Sequence, residues 1–137
     1  TLNRAASSAM VAVGVGAATD VTGFGLLGHL GEIMAASGVG ARLDTAAVPV
    51  IEGAWALLAA GMYPGGSVRN LAAVQALLDP GSGESRTARM LADAQTSGGL
   101  LIAVGPDRLE ALLAALSADG VVGAVIGEIV GGARITW

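Results

Sequence analysis

The sequence predicts an α+β domain in which helices cover a mixed β-sheet, and three observations point there. The 137 residues are 53% hydrophobic and 13% charged. That is enough apolar surface for one ordinary domain with its own core, and too much for a disordered chain. Apolar stripes at helical spacing alternate with short apolar runs of strand length. From Leu100 to Val130 the pattern reads strand, helix, strand, a βαβ-like unit followed by a glycine turn. Aromatic residues are only 3%, so Ala, Val, Leu and Ile must fill the core.

Each element has a local reason. Leu2, Ala6, Ala9, Met10 and Val13 fall at helical spacing, and Gly14 and Gly16 end the pattern. A short extended stretch, Ala17 to Val21, follows. Leu26, Leu27, Leu30, Ile33 and Met34 make the clearest apolar stripe, with Gly38 at its stop. Arg42-Leu43-Asp44 reads as a short strand. Glu52 to Ala60 reads as a helix ended by Gly61, and Pro64-Gly65-Gly66 as a turn. Ser67 is placed to cap a helix over Val68 to Leu78. Asp79 to Gly83 is a surface loop, and a short helix spans Ser85 to Leu91. Leu100 to Val104 reads as a buried strand. Pro106 then opens a helix carrying Leu109, Leu112, Leu113 and Leu116 on one face, with Gly120 beyond its end. Ala124 to Val130 is a further strand, and Gly131-Gly132 suits a hairpin turn into Arg134 to Trp137.

Composition removes several function classes. There is no cysteine, hence no disulfide framework, thiolate zinc site or cysteine nucleophile within the chain. That fits a reducing compartment, and a cytoplasmic location is the expectation. The net charge of −4 argues against a nucleic-acid groove. The longest run without a formal charge, Gly53 to Val68, is broken by Tyr63-Pro64-Gly65-Gly66, so no membrane span is expected. The first residues, Thr1-Leu2-Asn3-Arg4, do not read as a signal peptide. With no Met at its start, the chain reads as one domain cut from something longer.

Two segments carry the chemistry. In the first, Ala18 to Leu30, an acid ends a short strand, a glycine-rich turn follows, and a helix begins. Asp20 is a hard oxygen ligand suited to Mg²⁺, which takes one or two carboxylates together with substrate phosphates. Thr22, Gly23 and Gly25 stand where backbone approaches a ligand closely, next to a helix N-terminus that favours an anion. The alternative is an Asp capping the turn and glycines that permit close packing. In the second, Asp93 to Leu101, the polar loop Thr96-Ser97-Gly98 feeds a strand. Its amides and hydroxyls suit a phosphate or sugar pocket, or else simply set strand register.

Other residues invite separate readings. Gly23-Phe24-Gly25-Leu26-Leu27-Gly28 also matches G-x-G-x-x-G, with Asp44 near the place of a ribose-binding acid. Against a dinucleotide site stands Thr19-Asp20-Val21-Thr22, too polar for a buried first strand. Arg69 and Asn70, after Pro64-Gly65-Gly66, suit either a loop tether or an anion contact. His29, the single histidine, reads as a partly exposed structural residue near Glu32, and no catalytic triad is predicted.

Thr19-Asp20-Val21-Thr22-Gly23-Phe24-Gly25-Leu26-Leu27-Gly28-His29-Leu30, Pro64-Gly65-Gly66 with Arg69-Asn70, and Asp93-Ala94-Gln95-Thr96-Ser97-Gly98-Gly99-Leu100-Leu101 occur in that order. Together they resemble the carboxy-terminal domain of selenophosphate synthetase (selenide, water dikinase), within the AIR synthase-related superfamily. Asn3-Arg4-Ala5-Ala6 resembles the opening helix of that domain. The resemblance implies α/β/α layers of partly ferredoxin-like topology. It implies a reaction of ATP, selenide and water giving selenophosphate, phosphate and AMP. It also implies Asp20 as a Mg²⁺ ligand, and phosphate-facing positions at Thr22, Gly23, Gly25, Thr96, Ser97 and Gly98. By the same resemblance, an amino-terminal domain with the reactive Cys or Sec and an essential Lys holds most of the Mg²⁺ and ATP, and the full-length enzyme is a homodimer. This chain has neither Cys nor Lys, carries no catalytic residue of its own, and is expected to be inactive alone. The family's Asp-Pro-Gln-Thr-Ser-Gly-Gly has Ala94 in place of Pro here. The remaining alternatives are a dinucleotide-binding module on Gly23, Gly25, Gly28 and Asp44, and a non-catalytic domain for subunit contact.

Overall fold

A computed structural model describes residues 3–137, so the Leu2 position of the first helical stripe lies outside the described residues. Helix α1 spans Arg4–Val13, and strand β1 spans Ala17–Asp20. Helix α2 (Gly25–Ser37) ends at Gly38. It buries Leu27, Leu30, Ile33 and Met34, the predicted stripe, with Leu26 packed alongside. Strand β2 is Gly40–Leu43, and α3 is a short helix, Ala54–Ala59. Helix α4 (Gly65–Val74) is prolonged by a 3₁₀ turn, Gln75–Leu77. Another 3₁₀ turn, Ser82–Glu84, lies in the predicted surface loop. Helix α5 (Arg86–Leu91) is capped by Ser85, whose Oγ accepts from the Ala88 N–H. Strand β3 (Leu100–Ala103) leads through the Pro106–Arg108 3₁₀ turn into α6 (Leu109–Ala118). Strands β4 (Gly127–Val130) and β5 (Ile135–Thr136) close the chain.

The α+β class is as expected, and the strands divide into two hydrogen-bonded groups. Strands β1 and β3 form an antiparallel ladder in which Asp20 faces Leu100 and Ala17 faces Ala103. Strand β2 is central to the other group, antiparallel to β4 and parallel to β5. Strand β3 explains its own unbroken apolar run. Leu101 packs into the core built from α2, α4, α5, β2 and β5. Its neighbours Leu100 and Ile102 pack against α1 and α6. Successive side chains point to opposite faces of a strand, so a strand covered on both faces must be apolar throughout.

Three local expectations are corrected. Strands β4 and β5 are not a hairpin: they flank β2 on opposite sides, and Gly131-Gly132 carries the chain across it. Ile135 is fully buried against β2 and bridges to Leu78, and that burial outweighs the local turn signal. Leu100 to Val130 is not a βαβ unit, because β3 and β4 belong to different groups. Ser67 does not cap a helix. Pro64, in extended conformation, stands at the N-cap, so α4 starts earlier and contains Ser67.

Candidate functional site

The three motifs, far apart in the chain, meet at one end of the β1–β3 ladder. Past Asp20 the ladder continues into the loops: the Val21 N–H donates to the Gly99 carbonyl at 3.0 Å, and the Gly98 N–H to the Val21 carbonyl at 2.9 Å. The Thr22 carbonyl accepts both the Gly25 N–H and the Gln95 N–H, each at 3.0 Å. Helix α4 ties the same loops from the side. Asn70 Nδ2 donates to the Gly23 carbonyl at 2.7 Å and to the Ala92 carbonyl at 3.2 Å. Ser67, fully buried, donates from Oγ to Asp93 Oδ1 and accepts the Ala94 N–H. The Tyr63 hydroxyl donates to the Ser67 and Arg89 carbonyls. Burial first, and then the Asp93 carboxylate, push the Tyr63 phenol above its ordinary range, while Arg89 pulls it back. In the motif from Pro64 to Asn70, then, Asn70 is a loop tether rather than an anion contact.

Asp20 ends β1 with its side chain exposed and in no hydrogen bond or ion pair among the described residues. Val21, next to it, is buried, and Thr22 is exposed again. That alternation puts Asp20 and Thr22 on one side of the extended chain. Gly23, Thr96, Ser97 and Gly98 are exposed beside them in sequence and pairing. Among the described residues no group of three His, Cys, Asp or Glu is placed to hold a metal ion. The donor set is therefore a single free carboxylate. It fits Mg²⁺ as one ligand beside substrate phosphates, and does not fit a metal held by this chain alone.

Two of the glycines expected to face a ligand serve packing instead. Gly25 has φ +69°, and a Cβ there would lie 2.7 Å from the Ala92 carbonyl carbon and the Asp93 carbonyl oxygen. A Cβ on Gly98 would lie 2.9 Å from the Val21 carbonyl oxygen. Both N–H groups are spent on the bonds above, so neither amide is offered to a phosphate. The dinucleotide reading fails on context. Strand β1 sits in an antiparallel pair and not at the head of a parallel sheet. A Cβ on Gly28 would lie 2.7 Å from the Cβ of Phe24, so that glycine serves helix packing. Asp44 accepts the Ala46 N–H within its own turn.

Sequence reasoning misjudged His29. It is buried, only 7% exposed, and sits between two partners. Nδ1 lies 3.0 Å from Glu32 Oε2, and Nε2 lies 3.1 Å from Thr22 Oγ1. The Phe24 ring leans over it with a centroid separation of 5.5 Å. The His-to-Glu spacing of three on a helix was the available signal for one contact; nothing local announced the other. Elsewhere, an open groove of about 340 Å³ runs between α2 and α4, lined mainly by Phe24, Gly31, Ala35, Ala73, Val74 and Leu77. No helix among the described residues is long and apolar enough to cross a membrane.

A helix-covered antiparallel ladder whose end gathers these loops is an α+β domain of a recognised kind. Over residues 1–137 the sequence matches the family described as AIR synthase related protein, C-terminal domain. The chain belongs to that family. Among its relatives, the selenide, water dikinase of Carboxydothermus hydrogenoformans is 46% identical over 96% of this chain. The protein of the same name from Pelobacter propionicus is 47% identical over 94% of it, and that from Aeromonas hydrophila 43% over 94%. The chain spans 38%, 38% and 37% of the lengths of these relatives.

Proposed function

We propose that this chain is the carboxy-terminal domain of an ATP-dependent selenophosphate synthetase, converting ATP, selenide and water to selenophosphate, phosphate and AMP. The observation that carries the reading is identity of 46–47% to selenide, water dikinases across nearly the whole chain. An exposed Asp20 with no internal partner, beside loops locked to one another, supports it from the geometry. Transfer of a phosphoryl group is mainly positioning and neutralisation of charge on phosphate oxygens. Mg²⁺ bound at Asp20 would supply that neutralisation.

The chain's own residues have separable parts in this reading. Asp20 contributes one carboxylate to a metal–nucleotide that an amino-terminal domain mainly holds. Gly23, Thr96 and Ser97 form the rim facing the phosphates, with Thr22 at its edge beside Asp20, while Gly25 and Gly98 allow that rim to close up. The isolated chain binds Mg²⁺-ATP weakly or not at all and has no turnover. The amino-terminal domain is its first partner, and the whole enzyme is a cytoplasmic homodimer. Helix α3 supports a covering partner: Trp55 and Leu57, with Ile51 and Met62 nearby, are exposed, and no residue of the helix is buried.

The test is selenide-dependent AMP formation by the longer enzyme carrying Asp20→Asn. A loss of at least about tenfold, offset in part by raised Mg²⁺, is expected from removal of a metal-directed group. Wild-type activity at low Mg²⁺ would remove the metal role.

A further inference from the structure

We infer that His29 and Glu32 are positioning residues that turn the Thr22 hydroxyl so that it offers lone pairs, not a proton, to the metal–phosphate side. The inference rests on the reading above for what Thr22 faces; the orientation itself rests on the hydrogen-bond chain alone. A carboxylate only accepts hydrogen bonds, so the contact between Glu32 Oε2 and Nδ1 requires the proton on Nδ1. In neutral imidazole the other nitrogen, Nε2, is then an acceptor. With the ring neutral, the Thr22 hydroxyl, 3.1 Å away, points its single proton at Nε2, a bond that an imidazolium would reverse. Burial keeps the imidazole in place: His29 is 7% exposed, and Phe24 covers the ring. Glu32, by contrast, has an exposed side chain.

The consequence is chemical selectivity. A hydroxyl whose proton is committed inward presents acceptor oxygen only. That suits a divalent cation or a water bound to one, as a Ser or Thr hydroxyl serves Mg²⁺ in phosphate-binding loops. It does not suit a phosphate oxygen, which needs a donor. Thr22 therefore acts with Asp20, two residues earlier on the same exposed side, rather than with the phosphate rim where the sequence had put it. In the order Glu32, His29, Thr22 the groups resemble a nucleophile-activating triad, yet no covalent step is implied: the chain of bonds fixes a rotor.

The chain has a single histidine, so its imidazole nitrogen resonances need no assignment by mutation. In ¹⁵N NMR of the chain at about pH 8, the imidazole should carry its proton on Nδ1, with Nε2 unprotonated. Glu32→Ala should mix the two tautomers, while Thr22→Val should leave Nδ1 protonated. In the longer enzyme, Thr22→Val should raise the Mg²⁺ requirement about tenfold, in the range of lost metal-supporting contacts, with the KM for ATP within about twofold and Thr22→Ser close to wild type. A proton found on Nε2 overturns the inference. So does a Thr22→Val enzyme whose ATP KM rises while its Mg²⁺ requirement stays fixed, which would make the hydroxyl a phosphate donor. Wild-type activity and Mg²⁺ requirement after Asp20→Asn would sink the site reading instead, and the tautomer would report on the inward orientation independently.

Discussion

Gly25→Ala isolates the cost of letting two loops touch. Two penalties meet there. The backbone has φ +69°, which costs an L-residue about 1–2 kcal/mol. The added Cβ would also lie 2.7–2.8 Å from Ala92 and Asp93 backbone atoms, which cannot swing aside as a side chain would. Overpacking of this kind costs about 1–3 kcal/mol. The expected loss is therefore about 2–5 kcal/mol. At about 3 °C per kcal/mol for a domain of this size, the Tm should fall by roughly 6–15 °C. Three neighbours separate the terms. Gly99 has φ +86° and open space, so Gly99→Ala bears only the backbone cost. Gly98 lacks positive φ but is crowded by Val21, so Gly98→Ala bears only the contact cost. Gly23 has neither constraint, and Gly23→Ala should be neutral or gain a few tenths of a kcal/mol from a stiffer unfolded chain. Urea denaturation followed by fluorescence of the two tryptophans measures all four. A Gly25→Ala loss no larger than that of Gly99→Ala would refute the claim that the Ala92–Asp93 backbone closes on Gly25.

Asn70→Ala should cost about 1–3 kcal/mol by removing the donor shared by the Gly23 and Ala92 carbonyls, and Asn70→Asp should be worse, since a carboxylate would face two carbonyls; chemical denaturation of both variants tests the order. Ser67→Ala should cost about 1–3 kcal/mol, because it strips a partner from Asp93 and from the Ala94 N–H at a fully buried position. Tyr63→Phe probes pH. A phenol held above its ordinary range contributes stability that is fully present below about pH 10 and is lost as pH rises through the folded-state value. Wild type should therefore lose stability in alkali through a component that Tyr63→Phe lacks, as urea titrations from pH 8 to 11 would reveal.

Where residues near in sequence decide the outcome, the sequence could be read. The α2 stripe and its stop, the Ser85 helix start and the strand at Leu100 all depend on neighbours within a turn or two. Distant competition decided the rest. Gly131-Gly132 carries a strong hairpin signal, but Ile135 gains more by burial beside β2 than by pairing back on β4. Ser67 has the chemistry of a cap, and Pro64 took that place first. At the site, the place of Asp20 at the end of a short strand was legible, because a glycine-rich turn follows it at once. That Gly25 and Gly98 would spend their amides internally was not, because their partners lie in the other motif. His29 was misjudged for a related reason: helical geometry finds Glu32, while Thr22 arrives from a loop folded back over the helix start.

The same long-range ties bear on how the domain would meet a partner. Loops that carry ligand-facing groups are usually the mobile part of a domain, and ordering them on docking weakens binding. Here the loop after β1 and the loop before β3 are joined by main-chain bonds from Val21, Gly98 and Gln95, and Asn70 pins each from the side. Neither can move without the other or without breaking bonds to α4. Asp20 and Thr22 are thus presented on a preformed edge, and Glu32 and His29 remove the remaining rotor freedom of the hydroxyl. A domain that completes a metal–phosphate site by docking gains from such rigidity, because a displacement of an ångström at a carboxylate can cost a hundredfold in rate. If that is the use of the network, Asn70→Ala in the longer enzyme should lower kcat more than it raises the KM for ATP, even at temperatures where the variant is fully folded. An unchanged kcat would mean that the ties serve stability alone.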